Sequence, residues 1–472
     1  MKLEAKWVAL WVMTVGTFLV VLDSTAVTLA LADIERDFGT DSGIEWVFTA
    51  YIVALGVTQL ASGWISDSFG RKNAFIATLT VFTVGSGLCA MAPSLPVLVA
   101  FRVLQGLGGG LLIPVTTATI FETFGPYERG KAMGLWGIAL TVAPAVGPLV
   151  GGAIVETVGW RWVFAVNVPI GGVGALFAWR IMTASRPGGH RSLDVIGLAV
   201  ASVSTSALTI GLSEAESWGW LSLPTVASLA IGLGGVAWFV IRMLRRSHPL
   251  VNVALFANRT YALGVVTSAL IMVTQMGRGL FIPLELSSTR GIADITVGFV
   301  LLPAGIGLGA FMPFGGRLTD RFGSRGPVTV GALLMGLGFA LLSRLGPETD
   351  LWFIALALTI GGIGAGIGMM SPNIVAMTAL RFDEVNQGAG LTSVARQIAV
   401  AVGVTGLVAV SAAVEDTPFE SGDPVTQAAI DPFNAVFATC AFVMALVLVI
   451  AQWLPGPKWM RAMQDARSAE QP

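Results

Sequence analysis

The sequence predicts an all-α integral membrane protein with 14 transmembrane helices, arranged as two six-helix parallel-related bundles plus two inserted helices. The 472 residues are 54% hydrophobic and only 12% charged, so one core in water could not cover the apolar surface. Apolar runs long enough to cross a hydrocarbon layer of about 30 Å recur along the whole chain. A polar loop motif also occurs twice, which indicates a duplicated half.

The apolar runs are separated by short loops rich in Gly, Pro and charge. As helices, runs of this length satisfy their own backbone hydrogen bonds in lipid. The first run also fits a secretory signal, because Lys2 and Lys6 precede it, but its length and Asp23 favour a retained span. The predicted spans are 7–32, 45–66, 74–92, 95–120, 131–156, 160–182, 193–213, 222–244, 259–286, 293–316, 326–345, 350–375, 387–413 and 431–454.

The basic residues predict the orientation of these spans. Most of the 27 Lys and Arg residues fall on one side of the membrane when the chain begins in the cytoplasm, and basic loops mark the cytoplasmic side. Both termini are therefore expected to be cytoplasmic. The N-terminal bundle is expected to comprise 1–185, the two inserted helices 186–250 and the C-terminal bundle 251–472.

Several function classes find no support in the composition. Cys89 and Cys440 lie in separate apolar runs, so no disulfide framework is expected. His190 and His248 lie in loops without metal-ligand spacing, and no catalytic nucleophile or nucleotide-binding loop is present. We therefore expect neither an enzyme nor a cofactor or metal site, and a net charge of −1 gives no indication of nucleic-acid binding.

The loop motif occurs as "GWISDSFGRK" at 63–72 and "GRLTDRFGSR" at 316–325, with a constant offset of 253 residues. Both copies are predicted on the same side of the membrane, as expected for parallel halves of a transporter. Eight predicted helices separate the copies instead of six, so two helices are inserted, and the runs at 193–213 and 222–244 are the candidates. The matched pairs are Gly63 and Gly316, Asp67 and Asp320, Phe69 and Phe322, Gly70 and Gly323, and Lys72 and Arg325.

Asp23 is the only carboxylate well inside a predicted span. A charge at mid-membrane costs about 2.5–3.5 kcal/mol, so it indicates a function and needs a partner. Asp23 and Arg102 would lie roughly 13 and 10 Å from the outer ends of their helices, which lets them meet. Such a pair either exchanges a proton or is a purely structural ion pair. By contrast, Glu122, Glu156 and Glu285 lie near span ends and are expected to reach water.

Two further arginines, Arg278 and Arg396, leave an excess of positive charge within the spans. This excess favours a neutral, weakly acidic or amphipathic ligand, whose polar end Arg278, Arg396, Gln275 or Gln397 would contact. Equally, either arginine could bind backbone carbonyls or lipid head groups.

The stretch "APAVGPLVGG" at 143–152 repeats a small residue every fourth position. Such a face lets another helix approach closely, and prolines on an adjacent face let the helix bend. The segment is either a surface for conformational change or a glycine-rich packing helix. Its candidate residues, besides Ala143, are Pro144, Gly147, Pro148, Gly151 and Gly152.

The first loop copy resembles the loop signature of the major facilitator superfamily. "LDSTAVTLAL" in the first span and "WRWVFAVNVPIG" at 160–171 resemble its 14-helix proton-linked drug exporter branch. "RVLQGLGGG" at 102–110, "APAVGPLVGG" and "ARQIAVAVG" at 395–403 are also similar to motifs of that branch. Ser68 and Ala143 depart from the pattern, which often has Arg and Gly there. Extra acids in later spans, known in members that expel dications, are absent from this sequence.

The resemblance implies a proton-coupled antiporter that exports amphipathic drugs or toxic compounds by alternating access across a bacterial inner membrane. It implies proton coupling by Asp23 and Arg102. The alternatives are an exporter of lipids or lipid-like molecules and a non-transporting membrane sensor or scaffold. The expected partners are small amphipathic molecules, protons and the bilayer, and the expected state is a monomer. The implied cytoplasmic gate comprises Gly63, Asp67, Gly70, Arg71, Lys72, Asp320, Arg321 and Arg325.

Overall fold

The computed structural model describes residues 3–40, 43–44, 46–125, 127–182, 194–213, 219, 222–245, 252–292, 294–381, 384–414 and 426–470. Throughout these ranges the regular structure is helical and contains no strand. The α-helices are α1 Leu3–Phe38, α2 Trp46–Phe69, α3 Arg71–Ala90, α4 Leu95–Gly109, α5 Leu112–Thr123, α6 Arg129–Val158, α7 Arg161–Ala165, α8 Asn167–Ile181, α9 Val195–Ser213, α10 Leu223–Arg245, α11 Arg259–Leu284, α12 Asp294–Phe322, α13 Arg325–Leu342, α14 Leu351–Gly368, α15 Ser371–Thr378, α16 Val385–Ala412, α17 Gln427–Ala451 and α18 Pro457–Glu470. A 3-10 helix spans Val253–Ala257 and a π-helical turn spans Glu285–Thr289.

A helix overlaps each of the predicted spans. Within the described ranges, 11 helical segments are long and apolar enough to cross a membrane, and α2 raises the number to 12 if its two parts, bent by 56°, form one span. The apolar part of α9, Val195–Leu208, is shorter. The protein is therefore an all-helical, multi-pass membrane protein, whereas the full set of 14 crossings and the cytoplasmic termini stay predictions.

The chain divides into two compact units. Unit 1 comprises Met1–Phe124, Ile138–Leu255 and Leu380–Val394. Unit 2 comprises Gly125–Gly137, Phe256–Ala379 and Ala395–Pro472. The first turns of α6 thus belong to unit 2, and those of α16 belong to unit 1. The predicted bundle boundaries at 185 and 250 stay a prediction.

Glycine packing brings α3 and α4 together in unit 1. A Cβ atom at Gly85 would lie 2.7 Å from the Gln105 Cα, and one at Gly108 would lie 2.2 Å from the Phe82 backbone nitrogen. Neither position therefore has room for a side chain, and the two backbones touch. This contact fixes the position of α4 near Gln105. Arg102 lies one turn earlier on the same helix.

The two helices that the sequence predicts to be inserted, α9 and α10, pack against each other in unit 1. A Cβ at Gly235 would meet the Ser204 hydroxyl oxygen at 2.0 Å, so the helices approach closely there. Near the start of α9, Arg242 donates to both carboxylate oxygens of the buried Asp194, at 2.9 and 3.0 Å. The Gly197 amide also donates to Asp194, at 3.0 Å, so one carboxylate both caps α9 and holds α10.

Unit 2 repeats the packing of α3 and α4 with α13 and α14. Gly338, which is Gly85 plus the offset of 253, lies against α14, where its Cβ would meet the Ala357 carbonyl oxygen at 2.7 Å. Gly331 and Gly364 pack against each other's backbone on the same pair of helices. The repeat detected in the loop motif thus extends to the helix packing beside it.

We predict that Gly108→Val destabilises the protein by about 1–3 kcal/mol or more, because the new side chain overpacks α3. Gly172→Val is the matched control, since a Cβ at Gly172 would have no atom within 4 Å. The melting temperature in detergent measures both. Equal melting temperatures for the two variants would contradict the close packing of α3 and α4.

Candidate functional site

A buried ion pair joins α1 to α4 in unit 1. The Arg102 Nη1 atom donates to Asp23 Oδ2 at 2.6 Å, and both side chains are fully buried. The structure therefore brings together the two charges that the sequence placed at similar depth. Taking two charges out of water costs several kcal/mol per ion, so such a pair requires further hydrogen bonds.

Amide side chains supply these hydrogen bonds. Gln105 Nε2 donates to Asp23 Oδ1 at 2.8 Å, and Asn167 Nδ2 donates to the same oxygen at 3.0 Å. Asn167 also donates to the Ser86 hydroxyl at 3.0 Å. Asp23 Oδ1 thus accepts two neutral donors, whereas Oδ2 faces the cation.

Arg102 has supports that do not involve Asp23. Its Nε donates to the Val47 carbonyl oxygen at 2.9 Å, and its Nη1 also donates to Gln105 Oε1 at 2.8 Å. Its guanidinium carbon lies 4.0 Å from the centre of the buried Tyr51 ring, a cation–π contact. Arg102 therefore has hydrogen-bond and aromatic partners besides Asp23.

Sequence reasoning missed Gln105, Asn167, Ser86 and Tyr51. Gln105 lies three residues after Arg102, hence on the same helix face, so spacing alone could have indicated it. Asn167 ends the quoted stretch "WRWVFAVN", but its sequence context gives no sign that it faces α1. Only the packing of α8 shows that contact.

The small-residue face of α6 packs on α1 beside Asp23. A Cβ at Gly147 would lie 2.0 Å from the Thr25 hydroxyl oxygen, and one at Gly151 would lie 2.9 Å from the Ala26 Cα. A Cβ at Gly152 would meet only the tip of Leu29, at 3.9 Å. The side chains of Pro144 and Pro148 lie outside the described part of the structure.

In unit 1 the first loop copy holds the start of α16. Asn386 Nδ2 donates to Asp67 Oδ1 at 2.8 Å, and Arg71 Nε donates to Asn386 Oδ1 at 2.9 Å. Arg71 also forms an ion pair with Glu122. Gly63 lets α16 approach closely, because a Cβ added at Gly63 would lie 3.2 Å from the Gln387 side chain.

Two other residues of the first copy shape the loop and anchor α8. Gly70 has φ +77°, a backbone conformation that side chains disfavour, at the turn between α2 and α3. Lys72 Nζ donates to the Trp179 carbonyl oxygen, at 2.6 Å, near the end of α8.

In unit 2 the second loop copy holds the start of α6. Asp320 accepts from the backbone amides of Gly130, at 2.8 Å, and Lys131, at 3.2 Å. These are first-turn amides of a helix, where a carboxylate is favoured by the helix dipole. Gly316 lies so close to Gly130 that a Cβ would be 1.9 Å from its carbonyl oxygen. Both copies thus use one glycine and one aspartate to hold the first turns of another helix.

The C-terminal segment also contacts the second copy. Arg325 donates through Nε and Nη2 to Gln452 Oε1, at 3.2 and 2.9 Å, and through its backbone amide to the Pro455 carbonyl oxygen, at 3.2 Å. Gly323 has φ +76° and lies against Gly456. The Arg321 guanidinium lies over the neighbouring Phe322 ring.

Two of the four predicted ligand-binding residues, Gln275 and Arg278, line the same cavity. Gln275 and Arg278, one turn apart on α11, line a small cavity within unit 2. Arg396, on α16, is not among the residues that line it, and the side chain of Gln397 lies outside the described part of the structure.

The prediction for Glu285 was wrong. Although it lies near a span end, its side chain is fully buried in the π-helical turn. Arg290 Nε donates to Glu285 Oε1 at 2.6 Å, and Arg290 also donates to the carbonyl oxygens of Thr349, at 3.0 Å, and Gly346, at 3.1 Å. The π-helical turn places Arg290 over the end of α11, where its side chain covers Glu285. The position of Glu285 along the span does not reveal this contact.

We predict that Arg102→Gln destabilises the protein by about 3–5 kcal/mol, because it leaves Asp23 buried without its cation. Asp23→Asn in the Arg102→Gln background should recover part of this loss, which a double-mutant cycle on melting temperatures measures. Arg161→Gln, which breaks the half-exposed pair with Asp37, is the control and should cost less than about 1 kcal/mol. Additive single effects would contradict the coupling.

We also predict that Asp320→Ala speeds hydrogen exchange of the Gly130 and Lys131 amides about tenfold or more, because charged acceptors contribute about 1.5–3 kcal/mol. Glu348→Ala, at an exposed site in the loop before α14, is the control. Exchange mass spectrometry over the first turn of α6 measures the effect. Unchanged exchange in Asp320→Ala would show that the carboxylate does not cap α6.

Comparison with known proteins gives a consistent family assignment. The family model described as Major Facilitator Superfamily matches residues 13–404 and 268–459. A multidrug resistance protein B homolog of Mycobacterium tuberculosis is 31% identical over 392 residues, covering 81% of this chain and 72% of that protein. A tetracenomycin C resistance and export protein of Streptomyces glaucescens is 32% identical over 367 residues, covering 76% of this chain and 68% of that protein.

Solved structures show the same fold. A proton:xylose symporter aligns with a TM-score of 0.64 at 14% identity and covers 97% of each chain. A human organic anion transporter aligns with a TM-score of 0.64 at 14% identity, covering 94% of this chain and 99% of that one. With its many apolar helices and bacterial relatives, this multi-pass protein of a bacterial cell membrane belongs to the major facilitator superfamily.

Proposed function

We propose that the protein is a proton-coupled exporter of amphipathic drugs or related toxic compounds that works by alternating access. The observation that carries this proposal is the fully buried Asp23–Arg102 pair, held by Gln105 and Asn167. The relatives named for multidrug resistance and tetracenomycin export support the choice of cargo.

The geometry supports a proton site at Asp23 Oδ2. Oδ1 already accepts from two amides, so Oδ2, which faces Arg102, is the oxygen whose charge depends on the cation. We propose that a proton binds Oδ2 in exchange for the Arg102 hydrogen bond, and that release of the proton restores the pair. The Val47, Gln105 and Tyr51 contacts of Arg102 would hold the cation near Asp23 after its bond to Oδ2 breaks.

Helix α6 supplies a route from this site to the second loop copy. Its Gly147 and Gly151 pack beside Asp23 on α1, whereas its first turn is capped by Asp320. A change of packing at Asp23 therefore acts on the same helix that Asp320 holds. We propose that Asp67 and Asp320, with Arg71 and Lys72, stabilise a closed cytoplasmic side in one state of the cycle.

The intramembrane charges support a neutral, weakly acidic or amphipathic cargo. Arg278, Arg396, Gln275 and Gln397 are proposed to contact its polar end. An exporter of lipids or lipid-like molecules is the alternative on the same fold, and both alternatives use the same proton site. Testing lipophilic drugs and lipids one at a time in proteoliposomes separates the two alternatives.

The decisive experiment measures proton movement in sealed proteoliposomes that carry a pH gradient, with a panel of lipophilic drugs and lipids added in turn. We predict that a cargo compound triggers proton flux with wild type and that Asp23→Asn reduces this flux to the level of empty liposomes. Asp33→Asn is the matched control, because Asp33 lies on the same helix in an exposed pair with Arg36 and should behave as wild type.

Exchange of labelled for unlabelled cargo across the liposome membrane, without a pH gradient, distinguishes a variant that has lost proton coupling from one that is misfolded. Asp23→Asn should retain this exchange, because cargo moves without net proton transfer. Equal proton flux in wild type and Asp23→Asn would overturn the role of Asp23. A folded wild type that moves no proton with any compound would overturn proton antiport.

A further inference from the structure

A partly buried arginine in unit 2, Arg278, has one guanidinium nitrogen without a hydrogen-bond partner among the described residues. Arg278 Nη1 is buried and has no hydrogen-bond partner among the described residues, and no described acid forms an ion pair with Arg278. The side chain lines a cavity in which the centre of a water-sized sphere has about 10 Å³ to move, roughly the room that one water-sized species needs. Besides Gln275, the lining is apolar: Met335, Gly338, Phe339, Leu342, Ala357, Leu358 and Gly361.

The offset of 253 relates this cavity to the ion-pair site of unit 1. Phe339 and Leu358 stand where unit 1 has Ser86 and Gln105, whose polar groups surround Asp23 and Arg102. Leu342 likewise stands where unit 1 has Cys89. The second half therefore repeats the close packing at Gly338 but not at Gly361, the counterpart of Gly108, and it lacks the polar groups that surround the first site.

The first helix of each half also carries a charge well inside its predicted span, and the two charges are of opposite sign, although by the offset Arg278 stands where unit 1 has Thr25. In unit 1 the acid Asp23 lies on α1, the helix that precedes α2 and its loop copy. In unit 2 the cation Arg278 lies on α11, the helix that precedes α12 and the second copy. Unit 1 provides its acid with a cation, whereas the described lining of the unit 2 cavity provides its cation with no acid.

We propose that this cavity binds one small monovalent anion, which neutralises Arg278 and accepts a hydrogen bond from its Nη1. A buried charge requires an opposite charge, and a water molecule would leave it uncompensated. Gln275 provides a second donor at the same cavity. The anion is either free chloride or the carboxylate of a bound amphipath; only the carboxylate source rests on the proposed transport function.

Empty space beside Gly361 gives a way to test occupancy without removing the cation. Gly361 is buried, yet a Cβ added there would have no atom within 4 Å. A methyl group at this position therefore occupies the cavity with no steric cost to the helices. Gly361→Ala should keep the fold and Arg278 while it reduces the room for an anion.

The test measures the melting temperature of the purified full chain in detergent at constant ionic strength. Sodium gluconate, whose polyhydroxyl chain does not suit the apolar lining of the cavity, is replaced stepwise by sodium chloride, sodium bromide or sodium acetate. A ligand at ten or more times its Kd should raise the wild-type melting temperature by about 2 °C. Arg344→Gln, at an exposed arginine of the same unit, should show the same rise.

Arg278→Gln should show no rise, and Gly361→Ala should require a several-fold higher anion concentration. In gluconate, Arg278→Gln should melt at or above the wild-type temperature, because it removes an uncompensated buried cation. A rise with halide alone assigns the site to free chloride, and a rise with acetate as well assigns it to carboxylates too. The proposal is overturned if no small anion changes the wild-type melting temperature, or if Arg278→Gln keeps the full rise.

Discussion

The buried pair of Asp23 and Arg102 sets a constraint on the rest of unit 1. Two charges without water need hydrogen bonds to most of their remaining donors and acceptors, and here Arg102 Nη2 is the guanidinium nitrogen left without a partner among the described residues. That requirement explains why Gln105, Asn167 and the Val47 carbonyl oxygen converge on them. It also explains the glycines, because Gly85 must admit the Gln105 backbone before the amide can reach Asp23.

The same site is adjacent to the surface where α6 meets α1. Thr25 and Ala26, next to Asp23 along α1, receive Gly147 and Gly151 at backbone distance. Packing this close cannot adjust gradually, because interiors are dense and helices move between discrete arrangements. Asp23 and the contacts of α6 therefore lie on the same stretch of α1. The first turn of α6 is held by Asp320, through the Gly130 amide.

The duplicated halves differ in chemistry although they share packing. Each loop copy uses a glycine to admit a helix and an aspartate to bind it, with Asp67 reaching the Asn386 side chain and Asp320 reaching the amides of Gly130 and Lys131. Beside these loops, the polar cluster of unit 1 is replaced in unit 2 by an apolar cavity with one cation, Arg278. Duplication thus preserved the backbone contacts, while the side chains between the helices diverged.

The sequence by itself determined the membrane class, the positions of the helices, the repeat and the family motifs. These follow from hydrophobic length and from residue spacing, which are local properties of the chain. It also placed Asp23 and Arg102 at compatible depth, because depth follows from position along a helix. Only the tertiary structure decided that Asn167 contacts Asp23, that Arg290 binds the buried Glu285 and that Arg278 Nη1 has no hydrogen-bond partner among the described residues. Those outcomes depend on which helices become neighbours and how each one is rotated, and sequence spacing along a single helix carries no information about either.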